Sequence, residues 1–348
     1  MLPALALLTG AASGSFTNAV ASGTMQAVLV DHYAANLTAV AERLVNVPSA
    51  AAGEVLLRVE ASSVNPIDYK VLDGSLSNLF PLHFPQVLGD DVIGTIVQCG
   101  AGACGLSQRG RVGKRVWADL GVGGVGAWAQ FISVPEALVV PAPAPSRYDD
   151  AELATLPLVG MTMLQALDEG THIFTPSRHA ANRSVVVISS GAGGTGTAGL
   201  QLAATLGASH VVTTAGNSSV SSLLQKLGAS RVYDFHTQPL LEQLEDDSVD
   251  LFIDNYGYDA DGALRKVRAG GAFVSLTHAM PTANKSGVLA VALTCNASRS
   301  VDLERLTELV DAGRLRPIVD RTYAMSDGVE ALRYSMAGHT VGKIAVRI

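Results

Sequence analysis

The stretch Ser189–Gly196, SSGAGGTG, decides the fold of this 348-residue chain, because it joins a strand pattern to a helix pattern. It follows the apolar run Val185–Ile188 and precedes TAGLQLAATLGA, where apolar residues recur at helical spacing. Gly191, Gly193 and Gly196 have the spacing G-x-G-x-x-G. Between a strand and a helix, that spacing is typical of a loop that binds the pyrophosphate of a dinucleotide.

Each residue of this loop has a predicted role. Gly191 permits the tight turn, Gly193 lets the backbone approach the pyrophosphate, and Gly196 lets the helix pack on the strand. Gly194 and Thr195 fall at the start of the helix, where free N–H groups and the positive end of the helix dipole attract phosphate. We therefore predict that these five residues bind the cofactor.

The end of the second strand, HVVTTAGNSSVSS over residues 210–222, indicates which dinucleotide is bound. An acidic residue there would bind the ribose 2′-hydroxyl of NADH and repel a 2′-phosphate, but the stretch contains no acid. Ser218 and Ser219 offer hydroxyls and helix-start amides, which favours NADPH. The alternative is that the two serines only cap the helix predicted over 219–227.

The pattern of elements changes near residue 150. Short strand-like segments punctuated by glycine and proline run from Met25 to about Val140 and predict a β-barrel unit. A single helix is predicted over 150–170. Strands and helices then alternate, with helices near 195–206, 219–227, 239–245 and 259–267, which indicates a parallel sheet. From about Val288 we predict one helix, VDLERLTELVDAG, and a terminal strand.

Composition limits the possible partners and compartments. The net charge is −7 and the sequence pI is about 5.6, so no nucleic-acid partner is expected. Mean hydropathy is +0.29, yet no uninterrupted apolar stretch reaches the ~18 residues of a membrane span. Cys99, Cys104 and Cys295 fit neither a disulfide framework nor a CxxC pair. We therefore expect unpaired cysteines in a reducing compartment.

Residues 1–24 differ from the rest of the chain, because they contain no Lys, Arg, Asp or Glu. They match neither a secretory signal nor a transit peptide well. We treat them as an N-terminal extension, either a targeting segment or a disordered one. The expected location is cytoplasmic, or organellar if residues 1–24 are a transit peptide.

Several further motifs, taken together, identify a family resemblance. The chain from Met25 to Ile348 resembles the zinc-independent branch of the medium-chain dehydrogenase/reductase superfamily, in the quinone oxidoreductase and alkenal/enone reductase group. The motifs are Asn65-Pro66-Ile67-Asp68-x-Lys70, Leu88-Gly89-Asp90-Asp91-Val92-x-Gly94, Leu156-Pro157-Leu158-x-Gly160-x-Thr162, the glycine loop, Gly228-Ala229, Gly313-Arg314-Leu315-x-Pro317-Ile318-Val319-Asp320 and Gly342-Lys343-Ile344.

The resemblance implies an α/β protein with a GroES-like β-barrel catalytic domain and a Rossmann domain built on a doubly wound parallel sheet. The expected domains are an extension over 1–24, the GroES-like domain over 25–155, the NADPH-binding Rossmann domain over 156–290 and a return to the catalytic domain over 291–348. The active site would lie in the cleft between the barrel and the Rossmann domain.

Zinc-containing relatives place a cysteine ligand where Asn65 stands and a histidine ligand where Asp90 stands. Both ligands are missing here, as are the four clustered cysteines of the relatives' structural zinc site, so no metal is expected. Without a Lewis acid, the chain is better suited to an acceptor that is already electrophilic, such as an alkenal, an enone or a quinone. Such an acceptor needs a hydride and hydrogen bonds to its developing enolate oxygen.

The resemblance also implies catalytic residues. Lys70, where quinone reductases of the family carry tyrosine, matches the family's enone reductases and is a candidate donor to the nicotinamide ribose or the substrate carbonyl. Asn65 is a candidate for orienting either partner, and Tyr69 is a nearby donor. Thr162 resembles a position that lies against the nicotinamide. The alternatives are a surface lysine, a turn asparagine, a core tyrosine and an ordinary helix threonine.

Tyr256 and His278 follow Rossmann strands at their carboxyl ends, where open α/β sheets bind ligands, so both are candidate cofactor contacts. NADPH users of the family often carry a lysine just after the hydroxyl residues and a tyrosine after the third strand. This chain has Val220 and Phe235 at those positions, which weakens the preference for NADPH.

Two other functions compete with the predicted reduction of a small enone, alkenal or quinone. One is an enoyl-thioester reductase, whose long substrate would require a basic rim at the cleft. The other is a dinucleotide-binding protein without turnover. A homodimer is one possible assembly.

Overall fold

The computed structural model describes residues 23–105, 111–169 and 184–348. The predictions for residues 1–24 lie almost entirely outside these ranges. Among the described residues, no helix is both long and apolar enough to cross a bilayer.

The barrel half consists mainly of antiparallel strands. They are β1 (Thr24–Val30), β2 (Val40–Asn46), β3 (Glu54–Val64), β4 (Gln86–Val87), β5 (Asp91–Cys99), β6 (Arg115–Asp119), β7 (Phe131–Pro135) and β8 (Val140–Pro141). One sheet has the order β2-β1-β4. The second sheet has the order β15 (Val319–Ala324), β16 (Lys343–Arg347), β3, β5, β6 and β8, and β7 pairs with β3. A short helix, α1 (Pro66–Lys70), follows β3.

The second half is a parallel sheet of six strands in the order β11-β10-β9-β12-β13-β14. That order runs third, second, first, fourth, fifth, sixth along the chain, as in a doubly wound dinucleotide-binding sheet. The strands are β9 (Val185–Ile188), β10 (His210–Ala215), β11 (Arg231–Asp234), β12 (Val249–Asp254), β13 (Val267–Ser275) and β14 (Leu289–Ala292). The predicted fold class is confirmed. The domain border predicted after residue 290 falls inside β14, and the domain bounds stay predictions.

Helices cover this sheet and connect it to the barrel. They are α2 (Asp150–Leu153), α3 (Pro157–Glu169), α4 (Gly194–Leu206), α5 (Ser218–Lys226), α6 (Ala260–Lys266), α7 (Ser300–Asp311) and α8 (Gly328–Met336). Short 3₁₀ turns lie at Leu37–Ala39, Glu136–Leu138, Leu240–Gln243 and Met325–Asp327. The last strands are β15 (Val319–Ala324) and β16 (Lys343–Arg347), and β16 pairs antiparallel with β3 of the barrel.

The structure corrects two of the predicted helices and adds a third that was not predicted. The helix predicted over 150–170 is two helices, because Pro157 lacks the N–H that a continuing helix requires and instead begins α3. The helix predicted near 239–245 is a single 3₁₀ turn after Pro239. The C-terminal segment contains a second helix, α8, because Gly328–Met336 buries one face in the barrel core through Ala331 and Leu332.

The expectation of three unpaired cysteines was wrong for two of them. Cys99 ends β5, and the turn over residues 100–103 brings Cys104 back so that the two sulfurs are bonded and the Cα atoms lie 6.0 Å apart. Cys104 closes this turn with a left-handed φ of 62°. A spacing of five residues gives no CxxC signature, so the pairing depends on a turn that the sequence pattern does not reveal.

A single apolar core crosses the junction between the two halves. Trp117 of the barrel, Leu164 of α3, Ile188 of β9 and Leu306 of α7 are all fully buried in one cluster. Burial of this kind stabilises a fold by about 25 cal/mol per Å² of apolar surface, which fixes the barrel against the sheet. The glycine loop at the end of β9 therefore lies near Asn65 after β3, and Lys343 contacts both.

Candidate active site

The centre of the candidate site is Asn65, a buried residue immediately before α1. Its amide nitrogen donates to Oδ2 of Asp91 at 2.8 Å, and its amide oxygen accepts from Nζ of Lys343. Asp91 also accepts from the Ser63 hydroxyl at 2.5 Å and from the backbone N–H of Leu158 at 2.7 Å. Because the amide nitrogen and oxygen of Asn65 both have partners, its side chain is held in one orientation.

Lys343 connects this network to the glycine loop. Its Nζ lies 3.7 Å from Oδ2 of Asp91. Its aliphatic stem lies against Gly194, where an added Cβ would fall 2.6 Å from Cδ of the lysine. The preceding residue, Gly342, donates its backbone N–H to the carbonyl of Ala192 at 2.7 Å. One buried lysine and its neighbour thus join the last barrel strand to the predicted pyrophosphate loop.

Three further aspartates, Asp68, Asp90 and Asp119, are buried around this network. Burial raises the pKa of Asp68 above its ordinary value and raises the pKa of Asp119 to about 7. Burial, and then the nearby carboxylates of Asp68, Asp119 and Asp91, raise the pKa of Asp90 well above its usual range. Burial lowers the pKa of Lys343, because loss of hydration disfavours the charged form of either kind of group.

The raised pKa of Asp119 predicts a pH dependence of stability. Its folded-state pKa of about 7 lies above the ordinary 3.8, so between about pH 4 and pH 7 the folded state binds a proton that the unfolded state lacks. The stabilisation is complete below that window and is lost as pH rises through it. The free energy of unfolding of the wild type should therefore fall between about pH 4 and pH 7. In Asp119→Asn, whose side chain does not titrate, we expect this fall to be smaller by about 1–3 kcal/mol.

Urea unfolding at a series of pH values measures this change. Asp73→Asn is the matched control, because Asp73 is an exposed barrel aspartate whose pKa is lowered by hydrogen bonds to Ser75. The control should lose as much stability as the wild type does over the same window. A fall in Asp119→Asn as large as that of the wild type would contradict the prediction.

Thr162 is buried in α3, beside the free cysteine Cys295. Its hydroxyl donates to the carbonyl of Leu158 at 2.6 Å, and its side chain also hydrogen-bonds Cys295. The Cys295 thiol donates to Oδ2 of Asp119 at 3.4 Å. Burial and the nearby Asp119 carboxylate raise the pKa of this thiol, so it stays protonated and is a poor nucleophile. The predicted position of Thr162 against the nicotinamide stays a prediction.

Lys70 and Tyr69 lie away from this network. Lys70 is exposed at the end of α1. Tyr69 is half-buried among apolar residues of the barrel, its hydroxyl bonds Ser335 of α8, and burial raises its pKa. The structure therefore brings together Asn65 and Thr162 but not the other two predicted catalytic residues. The roles of all four stay predictions.

The glycine loop has a shape that fits a pyrophosphate. A Cβ on Gly191 would fall 2.2 Å from the Thr213 hydroxyl, and one on Gly196 would fall 2.3 Å from the Ser190 carbonyl. These two glycines therefore permit tight packing. A Cβ on Gly193 would meet only the Ser190 carbonyl, at 3.6 Å, so this residue faces open space at the start of α4. Thr195 is half-buried in the first turn of that helix.

The predicted adenosine end lies at the start of α5. Ser218 and Ser219 are exposed, while Asn217 caps the helix by accepting from the N–H of Val220 at 2.9 Å. The two serines therefore do not supply this cap, and their hydroxyls are accessible. At the neighbouring Gly216, a Cβ would fall 3.5 Å from Nε2 of His236. His236 is a polar residue at this end that the sequence patterns did not single out.

The loop after β12 is built around Asp254. Its carboxylate accepts from the backbone N–H groups of Tyr256, Gly257 and Tyr258 at 3.0–3.1 Å. Tyr256 is 69% exposed. His278, after β13, is exposed in a left-handed conformation with φ 63°, and its Nε2 lies 3.0 Å from the Thr294 hydroxyl. Both side chains are accessible at the carboxyl edge of the sheet, and their cofactor contacts stay predictions.

Unpaired polar atoms support a cofactor at this junction. In the described ranges, three buried side-chain atoms lack a hydrogen-bond partner: Asp90 Oδ2, Asn255 Oδ1 and Thr340 Oγ1. The amide nitrogen of Asn255 donates to the Ser189 carbonyl beside the glycine loop, and Thr340 shortly precedes Gly342, which bonds that loop. Buried polar atoms are normally paired, so these positions fit a bound polar molecule such as a dinucleotide.

Across residues 23–105, 111–169 and 184–348, no group of three or more His, Cys, Asp and Glu side chains is placed to hold a metal ion. The Asn65 amide is fully engaged with Asp91 and Lys343, so it offers no free ligand atom.

Two sequence families match the chain. The family described as "Alcohol dehydrogenase GroES-like domain" matches residues 51–144, and the one described as "Zinc-binding dehydrogenase" matches residues 227–346. The first match covers the barrel strands of the candidate site, and the second covers Lys343.

Individual relatives are similar over most of the chain. A chloroplastic quinone-oxidoreductase homolog from Spinacia oleracea is 30% identical over 344 residues, covering 94% of this chain and 99% of the relative. A chloroplastic NADPH-dependent alkenal/one oxidoreductase from Arabidopsis thaliana is 30% identical over 310 residues, covering 86% and 73%. The structure of a quinone oxidoreductase from Coxiella burnetii has a TM-score of 0.78 at 24% identity, covering 93% and 99%.

Proposed function

This chain belongs to the quinone oxidoreductase and alkenal/enone reductase group of the medium-chain dehydrogenases/reductases, and from that premise we propose that it is an NADPH-dependent, zinc-independent reductase. Its proposed substrates are α,β-unsaturated carbonyl compounds and quinones. The observation that carries the proposal is the junction at Lys343, which joins the glycine loop to the polar network of Asn65 and Asp91.

The chain's residues would position the reactants rather than activate them with a metal. With the pyrophosphate of the dinucleotide bound at the glycine loop, the nicotinamide would supply the hydride. Lys343 and Asn65 would form the floor of the proposed cleft, and Thr162 with the protonated Cys295 would form one wall. Because Asn65 and Asp90 stand where zinc relatives have ligands, an alcohol would lack a Lewis acid to lower its pKa, whereas a conjugated acceptor accepts hydride directly.

The cofactor preference rests on the start of α5. Ser218 and Ser219 are exposed beside helix-start amides, and the stretch over 210–222 contains no acid to repel a 2′-phosphate. We propose that NADPH exceeds NADH by about tenfold or more in kcat/KM, which corresponds to about 1.4 kcal/mol. Cytoplasmic or organellar location and homodimer assembly stay predictions.

A panel of acceptors tests the proposal. The purified protein is assayed for NADPH oxidation with a 2-alkenal, a cyclic enone, a quinone and an enoyl-CoA, and each reaction is repeated with NADH. We expect turnover with the first three and little with the thioester. NADPH binding without oxidation by any acceptor would instead support a non-catalytic dinucleotide-binding protein, and turnover limited to enoyl-CoA would support a thioester reductase.

A further inference from the structure

We propose that Asp90, acting as a buried carboxylic acid, donates the hydrogen bond and the proton that the carbonyl oxygen of the acceptor needs during hydride transfer. The proposal rests on the reductase function above and adds a catalytic residue to it.

The geometry begins with an unpaired atom. Asp90 is only 7% exposed, and its Oδ2 is buried without a hydrogen-bond partner in the described part of the chain. Asp90 lines a small cavity of about 20 Å³, room for about one water molecule or one substrate oxygen. A buried carboxyl oxygen without a partner is costly unless a bound molecule pairs with it.

The cavity lies in the barrel, and all of its lining residues fall between residues 67 and 126. Asp68 and Gln86 form one side of it, and the loop around Gly123 and Gly124 forms another. Gly121, which begins this loop, packs near Ala297, where an added Cβ on the glycine would fall 3.5 Å from the alanine Cβ. Ala297 comes two residues after Cys295, whose thiol lies beside Thr162. The backbone carbonyl of Asp90 accepts from the N–H of Leu120 at 2.7 Å, next to Asp119, whose carboxylate accepts from the Cys295 thiol. Asp90 therefore lies near the residues that contact Thr162, which is predicted to lie against the nicotinamide.

The surroundings of Asp90 keep its carboxyl protonated. The charged groups around it are the carboxyls of Asp68, Asp119 and Asp91 and the ammonium of Lys343. The ammonium is already bonded to Asn65 and lies near Asp91. Three carboxyls and burial oppose ionisation of Asp90, and one ammonium favours it. A carboxylic acid kept neutral in an apolar site can donate a hydrogen bond to a developing oxyanion.

The step balances in atoms and electrons. The β-carbon of the acceptor gains a hydride from the reduced nicotinamide, and the π-electron pair moves onto the carbonyl oxygen. That oxygen takes the proton as the O–H bond of Asp90 breaks, which gives an enol, the Asp90 carboxylate and the oxidised nicotinamide. Water then mediates tautomerisation to the saturated carbonyl compound, and a proton from solvent restores the acid.

The test compares Asp90→Asn with Asp90→Ala and with the control Asp73→Asn. General acids contribute about 10²–10⁴-fold to rate, so we expect Asp90→Asn to lower kcat by about 10²-fold or more, with KM and the Kd of NADPH within threefold. The asparagine still donates a hydrogen bond, so Asp90→Ala should be slower still. Wild-type kcat should fall as pH rises through the raised pKa of Asp90, and this limb should be absent in Asp90→Asn.

A second readout does not depend on turnover. Carbon NMR of the cofactor-free protein, labelled at aspartate carboxyls, should show a protonated carboxyl signal at neutral pH that disappears in Asp90→Asn, while the partly protonated signals of Asp68 and Asp119 remain. If the wild type reduces the acceptors but Asp90→Asn keeps its kcat and its pH limb, Asp90 is not the acid, and the reductase function stands. If the wild type reduces no acceptor, the function and this inference are both wrong.

Discussion

Replacement of Lys343 by methionine is expected to destabilise the protein by about 3–5 kcal/mol and to abolish measurable turnover. Lys343 is 5% exposed, and its Nζ donates to the Val64 carbonyl at 2.7 Å and to Asn65. Methionine keeps the apolar stem beside Gly194 but removes the ammonium that lies beside Asp91. Breaking a buried ion pair costs more than a surface pair because the remaining carboxylate stays buried.

Urea unfolding and steady-state kinetics measure these effects. Arg333→Met is the control, because Arg333 pairs with Glu330 and the two side chains are 59% and 62% exposed. A surface pair contributes about 0–1 kcal/mol, so this control should be nearly as stable as the wild type and fully active. If Lys343→Met does not fold, Lys343→Arg is measured instead, and we expect it to fold with reduced kcat. Wild-type stability in Lys343→Met would contradict the assigned network.

The second large effect is expected from Gly193→Val. Gly193 has φ −73° and ψ 174°, a conformation open to any residue, and an added Cβ meets only the Ser190 carbonyl at 3.6 Å. The variant should therefore fold. Its side chain would occupy the space over the start of α4 where the pyrophosphate approaches, so we expect the Kd of NADPH to rise about 10²-fold or more, about 2.7 kcal/mol.

Fluorescence titration of the variant with NADPH measures the loss, and thermal unfolding shows that the fold is intact. Gly105→Val is the control, because an added Cβ there meets nothing within 4 Å and the residue lies in the barrel turn beside Cys104. NADPH binding by Gly193→Val as tight as in the control would show that the cofactor does not lie along this loop.

The glycine loop was predictable from sequence because its constraints are local. The strand Val185–Ile188, the turn and helix α4 are contiguous, and the steric contact with the Ser190 carbonyl that requires glycine at Gly196 lies within that unit. The parallel sheet likewise follows from the alternating strand and helix patterns. The fold class and the family resemblance could therefore be predicted from the sequence alone.

The catalytic cluster was less predictable because it depends on contacts distant in sequence. Lys343 was noted only as part of a terminal motif, yet it bonds Asn65, 278 residues away. Lys70 was favoured because it belongs to a motif, but it is exposed at the end of α1. No local pattern distinguishes a lysine that reaches across a cleft from one that faces solvent. Asp90 and Asp119 were likewise visible as residues, but their burial and mutual proximity were not.

The most direct test of the proposed reductase is NADPH oxidation by a 2-alkenal after metal removal. The purified protein is dialysed against a chelator, and its zinc content is measured. Initial rates are then measured from the loss of NADPH absorbance, with Gly193→Val as the inactive control. We expect less than about 0.1 zinc per chain and an unchanged rate, since the described residues provide no metal site. A rate that falls with the loss of stoichiometric zinc and returns when zinc is added would contradict the account.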